Sequence, residues 1–109
     1  MHWRVEVLNE TVRAELDALP EDIRARLVRL SAQINLLGLE SLREPNVKHL
    51  KNKNKLWEMR LTGRDGIARA LYVTAFGRRV IIVRAFIKKT RKTPKSEIDL
   101  ALRRAKEVA

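Results

Sequence analysis

An α+β fold is predicted here, a twisted and mostly antiparallel sheet with helices packed on one face. Two observations predict it: apolar residues recur with period two in some blocks and at helical spacing in others, and the blocks run in the order β-α-α-β-β-β-α. In addition, no linker or repeat divides the 109 residues, so a single domain over 1–109 is expected. Trp3, Val5 and Val7 alternate with Arg4 and Glu6 as a first strand. Asn9 suits an N-cap, and Val12, Leu16 and Leu19 form the stripe of a short helix that Pro20 interrupts. Pro20, Glu21 and Asp22 suit the first turn of a second helix, where proline lacks only an amide that would be unpaired and acids face the positive end of the dipole. Ile23, Leu27, Leu30, Ile34 and Leu37 give that helix its apolar stripe, and Gly38 its C-cap.

Residues 39–55 lack a period and hold Pro45 and three asparagines, which predicts a long exposed basic loop. LWEMRL (56–61), the turn TGRDG and IARALYVTA (67–75) read as a hairpin, and Phe76, Gly77 and Arg78 turn the chain again into the β-branched strand RVIIVRAFI (79–87). After the basic run KKTRKTPK, Ser96 and Asp99 resemble a capping box, and Ile98, Ala101, Leu102 and Ala105 mark a last helix.

The formal charge is +11, and its distribution is one-sided. Residues 1–42 carry 5 basic and 7 acidic side chains, residues 43–95 carry 16 and 3, and residues 96–109 carry 3 of each. An excess confined to the middle points to a polyanion, nucleic acid first among them. With no cysteine in the chain, a disulfide framework, a thiolate metal site and a cysteine nucleophile are excluded. Only His2 and His49 are present, without ligand spacing, and no phosphate-binding glycine loop occurs, so neither metal nor cofactor is expected. MHWRVEVLNE has no apolar run of signal-peptide length and no window suits a membrane span; a cytoplasmic protein without membrane association is the expectation.

Strand parity puts Glu58 and Arg60 opposite Trp57 and Met59. If Ile81, Val83, Ala85 and Ile87 face the core, then Arg84, Phe86 and Lys88 share the open face, with Arg69 beside Arg60 if its strand has that parity; Tyr72 fits either face. Lys48, His49, Lys51, Lys53 and Lys55 in the loop, with Lys89, Arg91 and Lys92 in the later run, complete a basic groove of nucleic-acid dimensions. Plain readings stand beside these. Glu58 and Arg60 suit a cross-strand ion pair, Arg84 a stem laid over apolar sheet, Phe86 the core, His49 and the lysine runs a solvated surface.

The segments KNKNKLWEMRLTGRDGIARALYV, IIVRAFIKKTRKTP and SEIDLALRRAKE, with L-P-E-x-I-R-x-R at Leu19 to Arg26, resemble the phage-derived, HigB-like branch of the RelE superfamily of toxin–antitoxin toxins. The resemblance spans nearly the whole chain. It rests on the combination W-E-x-R, R-x-L-Y and F-x-K-K-T-x-K-T-P. It implies a RelE-like toxin that enters the ribosomal A site and cleaves messenger RNA, silenced by a helix-turn-helix antitoxin through which alone operator DNA is bound. It implies a metal-independent endoribonuclease, in which the 2′-hydroxyl attacks the neighbouring phosphorus. Arg60, Arg69 and Lys88 match positions of basic catalytic groups, Arg69 as the phosphate clamp and Arg60 or Lys88 at the leaving oxygen, with Glu58 or a lysine as base. The chain departs from relatives that have a basic residue at the Glu58 position, and no C-terminal catalytic tyrosine or histidine is evident. Two alternatives use the same surface: a catalytically inactive RNA- or ribosome-binding protein, and a phage-derived interaction protein whose groove receives an acidic helix.

Overall fold

The alternation around Trp3 to Val7 forms strand β1 (Arg4–Val7) in the computed structural model, which describes residues 2–50 and 55–108. Helix α1 (Glu10–Asp17) follows, its start fixed by the Asn9 side chain, which accepts from the Val12 amide at 3.0 Å. Helix α2 (Glu21–Leu37) begins after Pro20 and ends at Gly38, whose φ of 91° few other residues adopt. Strands β3 (Trp57–Thr62), β4 (Ile67–Ala75) and β5 (Arg79–Ile87) then run antiparallel, as the sequence predicts. Gly77 and Arg78, at φ of 87° and 59°, make the tight reversal between β4 and β5. Strand β1 joins the sheet beside β5 in parallel, Val5 opposite Val80, while the segment 39–55 contributes an unforeseen edge strand, β2 (Val47–His49), paired with β3. The sheet order is β1-β5-β4-β3-β2, and helix α3 (Lys95–Ala105) closes the fold.

The α+β class is as predicted, but the helices do not share one face. Helices α1 and α2 bury Val12, Leu16, Ile23, Leu30 and Ile34 against Met59, Leu61, Ala70, Tyr72, Val80 and Ile82. On the opposite side, α3 sets Ala101, with Ile98, Leu102 and Ala105, against Leu56, Leu71, Val73, Ile81 and Val83. Strand β4 is buried at both parities, with Leu71 and Val73 on one side and Ala68, Ala70 and Tyr72 on the other, and both sides are covered. Tyr72 faces the α1/α2 side.

The expected parity of β5 is also corrected. Between Leu71 and Tyr72 the pairing slips: Leu71 lies opposite Arg84 and Tyr72 opposite Ile82, so β5 carries one extra residue. Ile81 and Val83 therefore face α3 while Ala85 joins Val80 and Ile82 in the other core. The period-two reading ran straight through this bulge. Other local departures are smaller. Segment 39–55 is not wholly exposed, because a 3-10 turn (Leu39–Ser41) and β2 bury Leu42, Val47 and Leu50. Leu37 is exposed, at the end of a stripe that elsewhere holds. Helix α3 starts at Lys95 without a side-chain cap, so Ser96 lies inside its first turn, where Lys95 pairs with Asp99 at 2.9 Å. Among the described residues no helix is long and apolar enough to cross a membrane.

The β3–β4 turn docks on the start of α2: the Arg64 amide donates to the Asp22 carboxylate at 2.5 Å. A Cβ on Gly63 would lie 2.5 Å from Ile23 Cγ1 and 2.8 Å from Asp22 Oδ2. Gly63→Ala should cost about 1 to 3 kcal/mol, read as a lower denaturant midpoint at unchanged m. A neutral result would mean that the turn lifts freely from the helix.

Candidate nucleic-acid interface

Register decides which basic side chains meet. Arg60 lies directly opposite Arg69, Arg69 opposite Phe86, and Lys48 opposite Glu58, so all five share the α3 side of the sheet. The Lys88 amide donates to the Ile67 carbonyl at 2.8 Å, carrying the ladder past the end of β5 and placing Lys88 on that face two residues beyond Phe86. Helix α3 covers the Leu71, Val73 and Val83 part of this face, and residues 88–94 cross the part that holds Arg69, as a strap.

Beneath the strap the expected open-face arrangement gives way to a buried one. Arg69 is 2% exposed and Glu58 6%. The Arg69 guanidinium donates to the Arg91 carbonyl at 2.5 Å and to the Thr93 hydroxyl at 3.1 Å, and its Nε lies 3.5 Å from the Glu58 carboxylate. The Thr93 hydroxyl in turn donates to Glu58. Arg69 therefore has both terminal nitrogens engaged within the protein and does not present a free fork to a phosphate, while Glu58 is engaged by Thr93 and Arg69.

What faces outward is a different set. Arg60 and Lys88 are half-buried, Lys48, Lys89, Arg91 and Lys92 are exposed, and the side chains of these six have no ion-pair partner among the described residues. Lys88 titrates below the ordinary lysine range: partial desolvation and the charges of Arg60, Arg69 and Arg91 lower it, and Glu58 only partly counters them. Phe86, Lys89, Thr90 and Pro94 line a pocket beside the strap.

Several sequence candidates lie elsewhere or are committed to structure. Arg84 holds Glu97 through Nε at 2.7 Å and Nη2 at 3.0 Å, reaches Glu15 at 3.0 Å, and sets its guanidinium 5.5 Å from the centroid of the Phe86 ring. His49 is on the other side of β2, its ring centroid 4.8 Å from that of Trp57. Lys55 lines an apolar groove at the far end of the strands, with Leu56, Val73, Phe76 and Leu102. Lys51 and Lys53 fall outside the described residues. Among the described residues no three His, Cys, Asp or Glu side chains come together as a metal site.

Sequence reasoning missed Thr93 and the pair Glu15 and Arg104. Past Ile82, β5 has no strand neighbour on the β1 side. Its free polar groups are taken by side chains: the Ala85 amide donates to Glu15 at 3.1 Å, and Arg104 donates to the Val83 carbonyl at 2.9 Å and pairs with Glu15 at 2.8 Å. Burial pushes the Glu15 carboxyl up, but the bond from Arg104, the Ala85 amide and the charges of Arg84 and Arg104 outweigh it and hold Glu15 below the ordinary carboxylate range.

Comparison with known proteins adds two findings. Residues 14–106 match a family described as "Phage derived protein Gp49-like". An archaeal RelE from Pyrococcus horikoshii OT3, solved as a RelE-RelB complex, superposes with a TM-score of 0.57 at 20% identity, covering 84% of this chain and all of the other. No relative is found among proteins of curated function.

Two outcomes follow for stability. Arg69→Ala leaves the Glu58 carboxylate buried without its cation and should cost about 3 to 5 kcal/mol in chemical denaturation; a stable variant would mean the pair is solvated. Glu15 has a folded pKa below its unfolded one, so its contribution is present above the ordinary carboxylate range and lost as pH falls through the folded value. Glu15→Gln should cost about 1.5 to 3 kcal/mol at neutral pH and flatten the acid limb of the stability curve; an unchanged acid limb would remove Glu15 from that titration.

Proposed function

We propose that this chain, which belongs to the Gp49-like family of phage-derived proteins and has a RelE-type fold, is the toxin of a toxin–antitoxin pair and cleaves messenger RNA on the ribosome. The observation that carries the reading is the outward cluster of Arg60 and Lys88 on the sheet with Arg91 on the strap, cations with no ion-pair partner among the described residues and with a lysine held below its ordinary pKa. Cations spaced for solubility would gain nothing from this crowding, whereas a phosphodiester entering the site neutralises it and releases counterions.

In this reading the RNA backbone lies across Arg60, Lys88 and Arg91, with Lys48, Lys89 and Lys92 along its path and a base in the pocket beside Phe86. Neutral Lys88 takes the proton from the 2′-hydroxyl, the 2′ oxygen bonds to phosphorus, and the bond from phosphorus to the 5′ oxygen breaks. The products are a 2′,3′-cyclic phosphate and a 5′-hydroxyl whose proton comes from solvent. The fixed Arg60 guanidinium opposes the charge that builds on the phosphorane oxygens. Lys88 takes the base role in preference to Glu58, because the carboxylate is buried and already accepts from Thr93. Arg69 acts by holding the strap rather than by touching phosphate. The partner is an antitoxin carrying a helix-turn-helix, more acidic than this chain, and operator DNA is bound only by the complex. The solved RelE-RelB complex supports a protein partner for the fold.

The test is cleavage of messenger RNA by purified protein with and without ribosomes. Arg60→Ala should lower the rate by about 10² to 10³ with stability within about 0.5 kcal/mol of the parent. The rate should rise with pH as Lys88 loses its proton, level off above its lowered pKa, and fall by about 10² to 10⁴ in Lys88→Arg, which cannot act as a base near neutrality. A rate flat from about pH 7 to 10 would remove Lys88 as base; no cleavage by the parent under any of these conditions would leave the RNA-binding reading in its place.

A further inference from the structure

The strap is the one segment whose position decides where Lys88 and Arg91 stand, and its attachment is narrow. It leaves the sheet after the Lys88 amide bonds to Ile67 and re-enters regular structure at Pro94 and helix α3. Between those ends three hydrogen bonds from two of its groups hold it to the sheet: the Arg91 carbonyl accepts from Arg69, and the Thr93 hydroxyl both accepts from Arg69 and donates to Glu58. Among the described residues the other side-chain hydrogen bond of the strap is internal, from the Thr90 hydroxyl to the Lys92 carbonyl at 2.5 Å. No apolar side chain of residues 88–93 anchors it, because the segment Lys-Lys-Thr-Arg-Lys-Thr has none.

A hydroxyl suits this place for a physical reason. Glu58 needs a donor and Arg69 an acceptor, both are nearly excluded from water, and a hydroxyl supplies the two functions on one atom. Hydrogen bonds to charged groups at low dielectric are among the stronger ones, and an unsatisfied buried charge is costly. We propose that Thr93 is a positioning residue of the basic site: its hydroxyl, shared between Glu58 and Arg69, fixes the strap and thereby sets the spacing of Lys88 and Arg91 against Arg60.

The inference rests on the RNA-cleavage reading only for its consequence in activity; the attachment itself is tested separately. Thr93→Val keeps the shape and removes the hydroxyl, and Thr93→Ser restores it. Amide hydrogen exchange over residues 88–94, with thermal unfolding as control, reads the attachment. Cleavage of messenger RNA on ribosomes, resolved into kcat and KM, reads the consequence. Thr93→Val should speed exchange in 88–94 at least tenfold, leave the rest of the sheet protected, and lower kcat at least tenfold with KM changed less than threefold. Thr93→Ser should recover most of both. Parental exchange in the valine variant overturns the proposal. So does a uniform rise in exchange across the sheet, which would mark Thr93 as an ordinary stabilising residue, and so does faster strap exchange with kcat unaltered. If the parent cleaves no RNA while strap exchange responds as stated, the RNA-cleavage reading fails and the attachment stands.

Discussion

The guanidinium of Arg69 is the constraint around which this face of the protein is arranged. It stands on the middle strand of the sheet directly opposite Arg60, an arrangement of like charges that is unfavourable by itself, and it is 2% exposed. A buried cation has to be met by acceptors on every side, and a sheet face offers few, since the backbone is spent on its ladders. The chain supplies one from β3, Glu58, and brings the rest from outside the sheet, the Arg91 carbonyl and the Thr93 hydroxyl. Covering Arg69 thus calls for a polar strap, and this strap, with no apolar side chain in its first six residues, is held by the groups it covers and by the Lys88 amide bond to Ile67. The dependence is mutual.

The bulge in β5 makes the second half of the arrangement. Without it Arg84 would take the other parity, and the carboxylate of Glu97 on α3 would lose its bidentate partner. With it, one strand feeds both cores: Ile82 and Ala85 serve α1 and α2, while Ile81 and Val83 serve α3. The free edge of β5 past Ile82 is closed by Glu15 from α1 and Arg104 from α3, so the ion pair that links these helices also blocks the edge from pairing with another chain. Arg84, drawn into this clasp, and Arg69, under the strap, are arginines that strand parity had placed on a ligand surface.

That explains what was legible in the sequence. Period-two blocks and turn residues carry the strands, and apolar spacing with Asn9 and Gly38 carries the helices, because these are local properties of a few neighbouring residues. The face shared by Glu58, Arg60 and Lys88 was legible from strand parity, whereas Arg69 joined it only on a condition that the sequence left open and the β3–β4 register meets. Burial was not legible. Whether an arginine on a face is a ligand group or a buried ion depends on what crosses above it, and the strap is far from Arg69 in sequence. The β5 bulge leaves no mark in a run of β-branched residues, and β2 is three residues inside a segment without a period. Thr93 carried no charge to draw notice, although it falls inside the segment Phe86 to Pro94 that shaped the resemblance to the RelE superfamily.

The division between buried and exposed cations bears directly on chemistry. A cation already paired with a carboxylate has little to give to a phosphate, because the pair must separate before the phosphate gains anything. Arg69 and Arg84 are of that kind. Arg60, Lys88 and Arg91 have no ion pair among the described residues, and their mutual repulsion is sustained by the rest of the fold, which holds them on β3, at the end of β5 and on the strap. Such repulsion has two consequences of the same origin. It raises the gain on binding a polyanion, since binding relieves it, and it adds to the partial desolvation that lowers Lys88 below the ordinary lysine range. Under the proposed RNA-cleavage reading, a site that grips phosphate and also offers a base to the adjacent hydroxyl draws on both effects, and one cluster of like charges beside the buried Arg69–Glu58 pair would serve the two ends.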